Sequence, residues 1–415
     1  MKKKITASLV GMSLLLPIAG CGASNEVNSL QIADGVEFGE KDYEKIVTPS
    51  NELGFELLDK IKPDDEGNLF ISPTSLWMAI ALAYNGADGA TKEEIAKVLQ
   101  VSGMDSMDVN KANASLMTAL DKDSESIRLQ IANSIWLNEE YQFQKEYAQR
   151  TKNYFNAEIA EIDIKGPDSP KMINEWVRKA TNDKIEKMVD GPLDENFVAM
   201  LLNAIYFKGD WKFPFDKKVT ENREFRLMNG TEKEVPFMKL QEELPYMANN
   251  EFQAVKLPYE NGEMSMTIVL PNEQKSFDEF QAMLSAEKWE ALQSDFKSMR
   301  GTLLLPKFKM EYETELNDAL KSLGMASAFT DFADFSKMVE GDASLLISKV
   351  KQKTYIDVNE EGTEAAAVTS VQMEATSAPV DTPFEMEANR PFFLMITDDE
   401  TGIVLFIGFV ANPEI

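Results

Sequence analysis

The sequence predicts a protein of mixed α and β structure with several sheets. Three observations indicate this class: an apolar helix signal directly after a short strand, continuous apolar strands later in the chain, and a hairpin of apolar strands near the C-terminal end. The 415 residues are 44% apolar and 27% charged, which is typical of a soluble globular chain with ample material for a core. The pattern contains no internal repeat and no repeated βα unit.

The first 21 residues have the features of an export signal. Three lysines at positions 2–4 precede an apolar run over 5–18, and Ala19, Gly20 and Cys21 follow as a small-residue cleavage site. The sequence IAGC resembles the bacterial lipobox, in which the cysteine becomes the lipid-bearing first residue. A short buried helix is the alternative interpretation.

This signal predicts the organisation and location of the protein. Residues 1–20 are expected to be a signal peptide, residues 21–45 a lipidated N-terminal tether, and residues 46–415 the folded domain. No second run approaches the roughly 20 apolar residues that a membrane span needs, so we expect membrane contact only through the lipid on Cys21. The protein is therefore expected to be exported and either lipid-anchored at the outer face of a bacterial cell membrane or extracellular.

Charge and residue usage exclude several functions. The formal charge is −28 and no stretch of lysines and arginines forms a basic stripe, so nucleic-acid binding is not expected. The chain has no histidine, which removes Ser-His-Asp and Cys-His catalysis and the usual zinc sites. Cys21 is the single cysteine and has no partner for an internal disulfide. We expect no cofactor and no metal.

The clearest helix signal is GNLFISPTSLWMAIALAYNG, residues 67–86. A short strand over 69–71 is followed by Ser72 as a helix N-cap and by Pro73 in the first turn. The following residues are apolar nearly all round, which predicts a buried helix. Gly86 is predicted to end this helix in a left-handed conformation.

Strand signals are plentiful later in the chain. LLNAIYF (201–207) and MTIVLP (266–271) are continuous apolar runs, as expected of strands buried on both faces, and FFLMIT and GIVLFIGFV predict a hairpin over 392–410. In VKQKTYIDV (350–358) the two-residue period places Gln352 on the apolar face. There its amide needs hydrogen-bond partners; an edge position near the sheet end is the alternative.

The stretch NEEGTEAAAVTSVQMEATSAPVDTP, residues 359–383, fits neither a helix, a strand nor an ordinary linker. Connections this long between core elements are uncommon and usually functional. From 363 to 374 the odd positions carry no charge, whereas the even positions hold every charge. The segment could therefore be inserted as a half-buried strand, with Gly362 as its hinge. An Ala-rich helical segment is the alternative.

Four stretches in the right order resemble the serpin family. EEGTEAAA resembles the proximal hinge of a serpin reactive-centre loop, and NLFISPTSLWMAIALAYNGADGATKEEI resembles the family's buried helix. LLNAIYFKGDWKFPF resembles its central-sheet strand, and RPFFLMITDDETGIVLFIGFVANP its C-terminal signature. The resemblance covers roughly residues 45–415. It implies an α+β serpin fold with three β-sheets, about nine helices, an exposed reactive-centre loop and a metastable native state.

The resemblance also implies which residues act. The reactive bond falls at Thr376–Ser377, because the family's hinge glycine lies fifteenth before the cut; cuts after Ala375, Met373 or Val380 are alternatives. The implied hinge comprises Glu360, Glu361, Gly362, Thr363, Glu364, Ala365, Ala366 and Ala367. The implied polar shutter beneath the opening sheet comprises Ser72, Ser75, Asn203 and Gln352, and the breach residue at the sheet's upper end is Trp211. Many members have histidine where this chain has Gln352.

The implied function is serine protease inhibition by suicide-substrate trapping, in which the cleaved loop enters the central sheet with the protease still attached. The resemblance thus implies that the chain is not an enzyme and has no catalytic residue of its own. Residues 354–389 contain no Lys or Arg, so we expect elastase-like or subtilisin-like targets, with cysteine proteases as a further class and trypsin excluded. We expect a monomer. A non-inhibitory serpin acting as a binding or structural lipoprotein is the alternative. An exported enzyme with an S-x-x-K motif at Ser294–Lys297 or Ser348–Lys351 is a third hypothesis.

Overall fold

The computed structural model describes residues 30–122, 124–194, 196–274, 277–341, 345–364 and 382–415. Cys21, the hinge alanines 365–367 and the predicted reactive bond Thr376–Ser377 lie outside these described residues. The roles predicted for them therefore stay predictions.

The described residues form nine α-helices, the number that the resemblance implies. The helices are α1 (Glu44–Leu58), α2 (Pro73–Gly86), α3 (Gly89–Val98), α4 (Ser106–Leu120), α5 (Lys145–Phe155), α6 (Ser169–Ala180), α7 (Phe277–Gln281), α8 (Ala286–Leu292) and α9 (Asn317–Ser322). Short 3₁₀ turns occur at Lys217–Val219, Gln293–Asp295 and Ser327–Phe329. None of the helices in this part of the chain combines the length and apolarity needed to cross a bilayer.

Strands occur at every position where the sequence predicted one, and further strands occur in both halves of the chain. They are β1 (Leu69–Ile71), β2 (Ile127–Asn138), β3 (Glu158–Ile162), β4 (Ala199–Asp210), β5 (Glu221–Arg226), β6 (Glu232–Ala248), β7 (Phe252–Pro258), β8 (Met264–Pro271), β9 (Lys297–Pro306), β10 (Phe308–Glu315), β11 (Ile347–Val358), β12 (Gly362–Thr363), β13 (Phe384–Glu387), β14 (Phe392–Asp398) and β15 (Val404–Val410). The predicted C-terminal hairpin is the antiparallel pair β14 and β15.

A six-stranded sheet, here called the central sheet, has the strand order β10-β11-β12-β4-β2-β3. Its middle strands β4 and β11 run parallel and pair directly from Ala199 and Ile347 up to Tyr206 and Tyr355. Beyond this point the two-residue strand β12 lies between them and is antiparallel to both. β4 and β11 are therefore joined along most of their length and separated at one end.

The remaining strands form a nine-stranded sheet that divides at the long strand β6. Residues 237–246 of β6 pair with β9, whereas residues 246–248 pair with β7. One part thus contains β1, β15, β14, β8 and β7, and the other contains β5, β6, β9 and β13. Together with the central sheet, these two parts are consistent with the three sheets that the resemblance implies.

Helix α2 is buried along its whole length, as its all-apolar pattern predicts. Ser72 caps it, because its hydroxyl accepts the backbone N–H of Ser75 at 3.2 Å. The predicted left-handed Gly86 is wrong: the chain leaves the helix at an extended Ala87. Glycine is needed at position 86 for space, since a Cβ there would lie 2.6 Å from the Met338 side chain. α2 contacts β4, β2 and β15 and so connects the two sheets.

Candidate functional site

The predicted hinge enters the central sheet through a tight reversal of the chain. β11 ends at Val358, and Gly362 and Thr363 then return between β11 and β4 as strand β12. The reversal is closed by a hydrogen bond from the Asn359 N–H to the Gly362 carbonyl at 3.0 Å. The Asn359 side chain also accepts the backbone N–H of Glu361 at 3.0 Å. Both residues of β12 are therefore already in the sheet of the intact protein.

Gly362 has no room for a side chain. A Cβ at this position would lie 2.2 Å from the carbonyl oxygen of Gly209 and 2.7 Å from the Cα of Asp210. Both atoms are backbone of β4, which cannot move aside cheaply. The hinge glycine is thus required by the close approach of β12 to β4.

Thr363 is 1% exposed and points into the interior. Its hydroxyl lies 2.8 Å from the hydroxyl of Tyr259, whose ring stacks on Trp211 with a centroid distance of 4.7 Å. Burial raises the pKa of Tyr259, so this phenol stays protonated and can donate. Trp211 in turn donates its indole N–H to the Asn359 carbonyl and its backbone N–H to the Glu361 carbonyl, both at 2.9 Å. The predicted breach residue therefore holds the reversal in place.

Two of the three hinge glutamates fix the start of β12 to neighbouring elements. The carboxylate of Glu360 is nearly buried and binds Lys307 and the Thr220 hydroxyl, each at 2.9 Å. Its backbone carbonyl accepts the N–H of Phe215 at 2.8 Å. Burial acts to raise the pKa of Glu360, but the hydrogen bonds from Lys307 and Thr220 lower it below its ordinary value. Glu361 forms an ion pair with Lys217.

The lowered pKa of Glu360 predicts a pH-dependent contribution to stability. The contribution is present above the ordinary carboxyl pKa of 4.5 and is lost as the pH falls through the lower pKa of the folded protein. Glu360→Gln is therefore expected to lower the melting temperature at pH 7, and the difference from the unaltered protein is expected to shrink below about pH 4. Thermal unfolding of both proteins between pH 7 and pH 3 measures this; a constant difference would contradict it.

The chain turns out of the sheet at Glu364. This residue has a φ of +56°, in the left-handed region that non-glycine residues rarely adopt. Its N–H donates to the Asp357 carbonyl at 2.8 Å, and its carboxylate forms an ion pair with Lys184. For the strand to continue beyond Thr363, Glu364 must become extended, and its contact with Lys184 must change.

The four predicted shutter residues form one hydrogen-bonded cluster where α2 begins. The Gln352 amide accepts the Ser72 N–H at 2.9 Å and donates to the Ser72 carbonyl at 3.0 Å and to the Asn203 side-chain oxygen at 2.6 Å. The Asn203 amide donates to the Ser75 carbonyl at 3.1 Å and also contacts the Ser75 hydroxyl. Gln352 and Asn203 are paired residues of β11 and β4, so their contact spans the seam between these strands.

The alternative edge position for Gln352 is wrong. The residue lies opposite Asn203 on β4 and opposite Thr314 on β10, and it is 1% exposed. The buried-face interpretation is therefore correct, and the amide satisfies its polar atoms through α2 and β4. Since amides and hydroxyls do not titrate near neutral pH, this cluster lacks the charge switch that a histidine would supply.

Sequence reasoning missed two residues of the site. Asn133 on β2 accepts from the Asn203 amide at 2.7 Å and extends the polar row to a third strand. Tyr259 lies just after β7 and contacts Thr363 from there. A polar residue inside the apolar run IANSIWL was a signal for Asn133. No local sequence signal marked Tyr259, because its partner Thr363 is distant in sequence.

The serines of the two S-x-x-K motifs have other partners. The Ser348 hydroxyl accepts the Val198 N–H at 2.9 Å, while Lys351 binds Glu313 and the Met188 carbonyl. The Ser294 hydroxyl contacts the Ala291 carbonyl at 3.5 Å. The geometry thus gives the enzyme hypothesis no support at either motif.

Comparison with known proteins identifies the fold. The sequence profile of the family described as "Serpin (serine protease inhibitor)" matches residues 48–413. A serpin-like protein of Thermococcus kodakarensis is 35% identical over 375 residues, covering 89% of this chain and 86% of the relative. Human serpin B3 is 32% identical over 381 residues, covering 86% of this chain and 97% of serpin B3.

Comparison with solved structures also identifies a serpin. The native-state crystal structure of tengpin, a thermophilic serpin, has a TM-score of 0.84 and 34% sequence identity, and it covers 93% of this chain and 99% of tengpin. The profile spans the buried helix, the central sheet and the C-terminal hairpin described above. The chain belongs to the serpin family, whose members are typically protease inhibitors rather than enzymes.

Proposed function

We propose that this protein inhibits serine proteases by suicide-substrate trapping. The observation that carries the proposal is the position of Gly362 and Thr363, which already separate β4 from β11 at one end. After cleavage and acyl-enzyme formation, the following residues would extend β12 as a new middle strand and move the attached protease along the sheet. Strand addition of this kind gains backbone hydrogen bonds on both sides. The uncharged odd positions would face the interior with Thr363.

The register of β12 defines how many residues the seam can accept. Thr363 pairs with Gly209 on β4 and Val358 on β11, so each later residue would pair one position further back on both strands. On this register position 373 would lie opposite Ala199, where β4 begins. Residues 374–376 would then span the sheet edge and carry the acyl bond. This count favours Thr376–Ser377 over Met373 as the cleavage site.

The same register connects insertion to the shutter. Position 369 would pair with both Asn203 and Gln352. Insertion must therefore break the 2.6 Å hydrogen bond between these two amides, together with the direct pairing of β4 and β11. The shutter cluster would thus hold the seam closed until the loop is cut.

The expected result is an SDS-stable 1:1 complex with an elastase-like or subtilisin-like protease. Residues 375–380, which surround the bond, are all small or aliphatic, and such residues fit a shallow apolar specificity pocket. Trypsin serves as the control, because residues 354–389 contain no Lys or Arg. Gel electrophoresis detects the complex, and mass spectrometry of the released peptide locates the bond.

Two outcomes would contradict this proposal. In the first, every protease that cuts between Met373 and Val380 retains full activity and leaves only cleaved product; that result would favour the non-inhibitory alternative. In the second, trypsin is inhibited rapidly and stoichiometrically without cleavage elsewhere, which would overturn the predicted specificity. Cysteine proteases of similar preference belong in the same panel.

We also propose that the inhibitor is exported and anchored by a lipid on Cys21. The support is the sequence alone: three lysines, an apolar run and the IAGC stretch. A monomer is proposed for the folded domain. Mass spectrometry of the mature N-terminus tests the anchor, since an unmodified N-terminus upstream of Cys21 would contradict it.

A further inference from the structure

Three Asn-Gly pairs occur in the chain, at 85–86, 229–230 and 261–262. Such a pair can modify itself without an enzyme: the glycine backbone nitrogen attacks the side-chain Cγ of the asparagine, ammonia leaves, and a succinimide ring forms. Water then opens the ring and leaves an aspartyl or an isoaspartyl residue. Glycine allows the attack because it has no side chain to shield its nitrogen. Since all three pairs share this dipeptide, their surroundings in the folded protein decide which of them reacts.

The first pair is protected by burial. Asn85 is 5% exposed, and its side-chain nitrogen donates to the Ala81 carbonyl at 2.9 Å and to the Asn110 side-chain oxygen at 2.7 Å. Its side-chain oxygen accepts from the Asn110 amide at 3.0 Å. Attack by the Gly86 nitrogen would break these hydrogen bonds, and hydrogen bonds lost in the core are costly. We therefore expect this pair to stay unmodified.

The other two pairs lie in hairpin turns with similar backbone geometry. Gly230 follows β5 and Gly262 follows β7, with φ angles of +80° and +71°. Each glycine N–H donates to the carbonyl three residues earlier at 2.9 Å. In both turns the asparagine side-chain oxygen accepts the backbone N–H two residues later, at 2.9 Å from Thr231 and 3.0 Å from Glu263. This hydrogen bond folds the side chain back over the glycine nitrogen, so the backbone does not distinguish the two pairs.

The side chains around the two asparagines differ. Asn229 is exposed, and its oxygen accepts a second hydrogen bond, from the Thr231 hydroxyl at 2.7 Å. Two donors on one carbonyl oxygen stabilise the negative charge that develops there during attack. Among the described residues the Asn229 nitrogen has no hydrogen-bond partner, so it can leave freely as ammonia. Asn261 is half-buried, and its nitrogen donates at 3.3 Å to the Glu263 carboxylate, whose charge opposes a developing oxyanion.

We propose that Asn229 is a site of spontaneous deamidation and that the Thr231 hydroxyl promotes the reaction. The Gly230 nitrogen forms the new bond to Cγ, the bond from Cγ to the side-chain nitrogen breaks, and the Gly230 proton leaves with that nitrogen as ammonia. One water then adds its oxygen to a ring carbonyl and returns a proton to the glycine nitrogen, which leaves a new carboxylate. The product carries one more negative charge, and its isoaspartyl form adds one main-chain atom to the turn. The proposal is independent of the proposed function.

The test follows all three pairs in one sample of the full chain incubated at neutral pH. Peptide mass spectrometry measures the loss of each amide, and labelling by an isoaspartyl methyltransferase identifies the isoaspartyl product. Asn229 is expected to react at least about fivefold faster than Asn261, the effect of roughly one hydrogen bond, and Asn85 is expected to stay intact. Thr231→Val is expected to slow the reaction at Asn229 about fivefold, whereas Thr231→Ser keeps the hydroxyl and is expected to stay within about twofold.

Protein unfolded in concentrated denaturant is the control for local sequence. The two turns and helix α2 are lost there, so the three rates are expected to converge. If the preference for Asn229 persists after unfolding, or if Asn261 or Asn85 reacts as fast as Asn229 in the folded protein, the proposed site is refuted. If Thr231→Val reacts at the unaltered rate, or Thr231→Ser slows the reaction as much as Thr231→Val, the role of the hydroxyl is refuted.

Discussion

Thr363→Arg is expected to convert the protein from an inhibitor into a substrate. Thr363 is 1% exposed between Gly209 and Val358, and its hydroxyl contacts Tyr259. An arginine there would bury an unpaired charge at a cost of several kcal/mol, so we expect residue 363 to leave the sheet of the intact protein. After cleavage the charged residue would have to enter the sheet again, and the seam would accept the loop far more slowly. At 1.4 kcal/mol per factor of ten, the number of inhibitor molecules consumed per trapped protease should rise at least about tenfold. Titration of a fixed amount of protease measures this number.

Thr363→Val is the matched control for this substitution. Valine keeps the branched shape and loses only the 2.8 Å contact with the Tyr259 hydroxyl. It is expected to retain inhibition, because no charge enters the interior. If Thr363→Arg inhibits with unchanged stoichiometry while remaining folded, an uncharged residue at position 363 is not required for insertion.

Cleavage of the loop is expected to raise the melting temperature by about 20 °C. Insertion would add a strand that is hydrogen-bonded on both sides, in place of the single seam between β4 and β11. A net gain of about ten backbone hydrogen bonds, each contributing about 1 kcal/mol, gives a stabilisation of about 10 kcal/mol. For a domain of this size each kcal/mol raises the melting temperature by about 2 °C.

Calorimetry of intact protein and of protein cut by a non-target protease tests this expectation. Thr363→Arg provides the control, since its cleaved form should gain much less stability if the loop is not inserted. Equal melting temperatures for the intact and cleaved forms of the unaltered protein would argue for the non-inhibitory alternative.

Much of the fold was predictable from local patterns. The all-apolar run after Pro73 gave α2, and the continuous apolar run at 201–207 gave the middle of β4. The two-residue period placed Gln352 on the interior face, where the structure finds it. These predictions succeed because helices and strands have fixed periods, so burial repeats at fixed spacing along the chain.

The sequence predicted less about the opposite face of β11. Lys353 is 7% exposed, although the alternation of β11 assigns it to the face opposite Gln352. The connection after α6, residues 181–190, and the glutamates of β10 cover that face, and neither contact is encoded in the local pattern. The left-handed conformation predicted for Gly86 was wrong for a similar reason. The Met338 side chain, which comes from a distant part of the chain, occupies the space beside this glycine.

The sequence by itself determined which segments form helices and strands and which polar residues those segments carry. It also determined the hinge and the uncharged alternate positions that follow it. Only the tertiary structure decided that Gly362 and Thr363 already lie between β4 and β11, and that Tyr259 and Asn133 complete their surroundings. Periodicity is a property of neighbouring residues, whereas a seam is made by strands about 150 residues apart in the chain, such as those of Asn203 and Gln352. Their register depends on packing between distant segments, which local pattern does not specify.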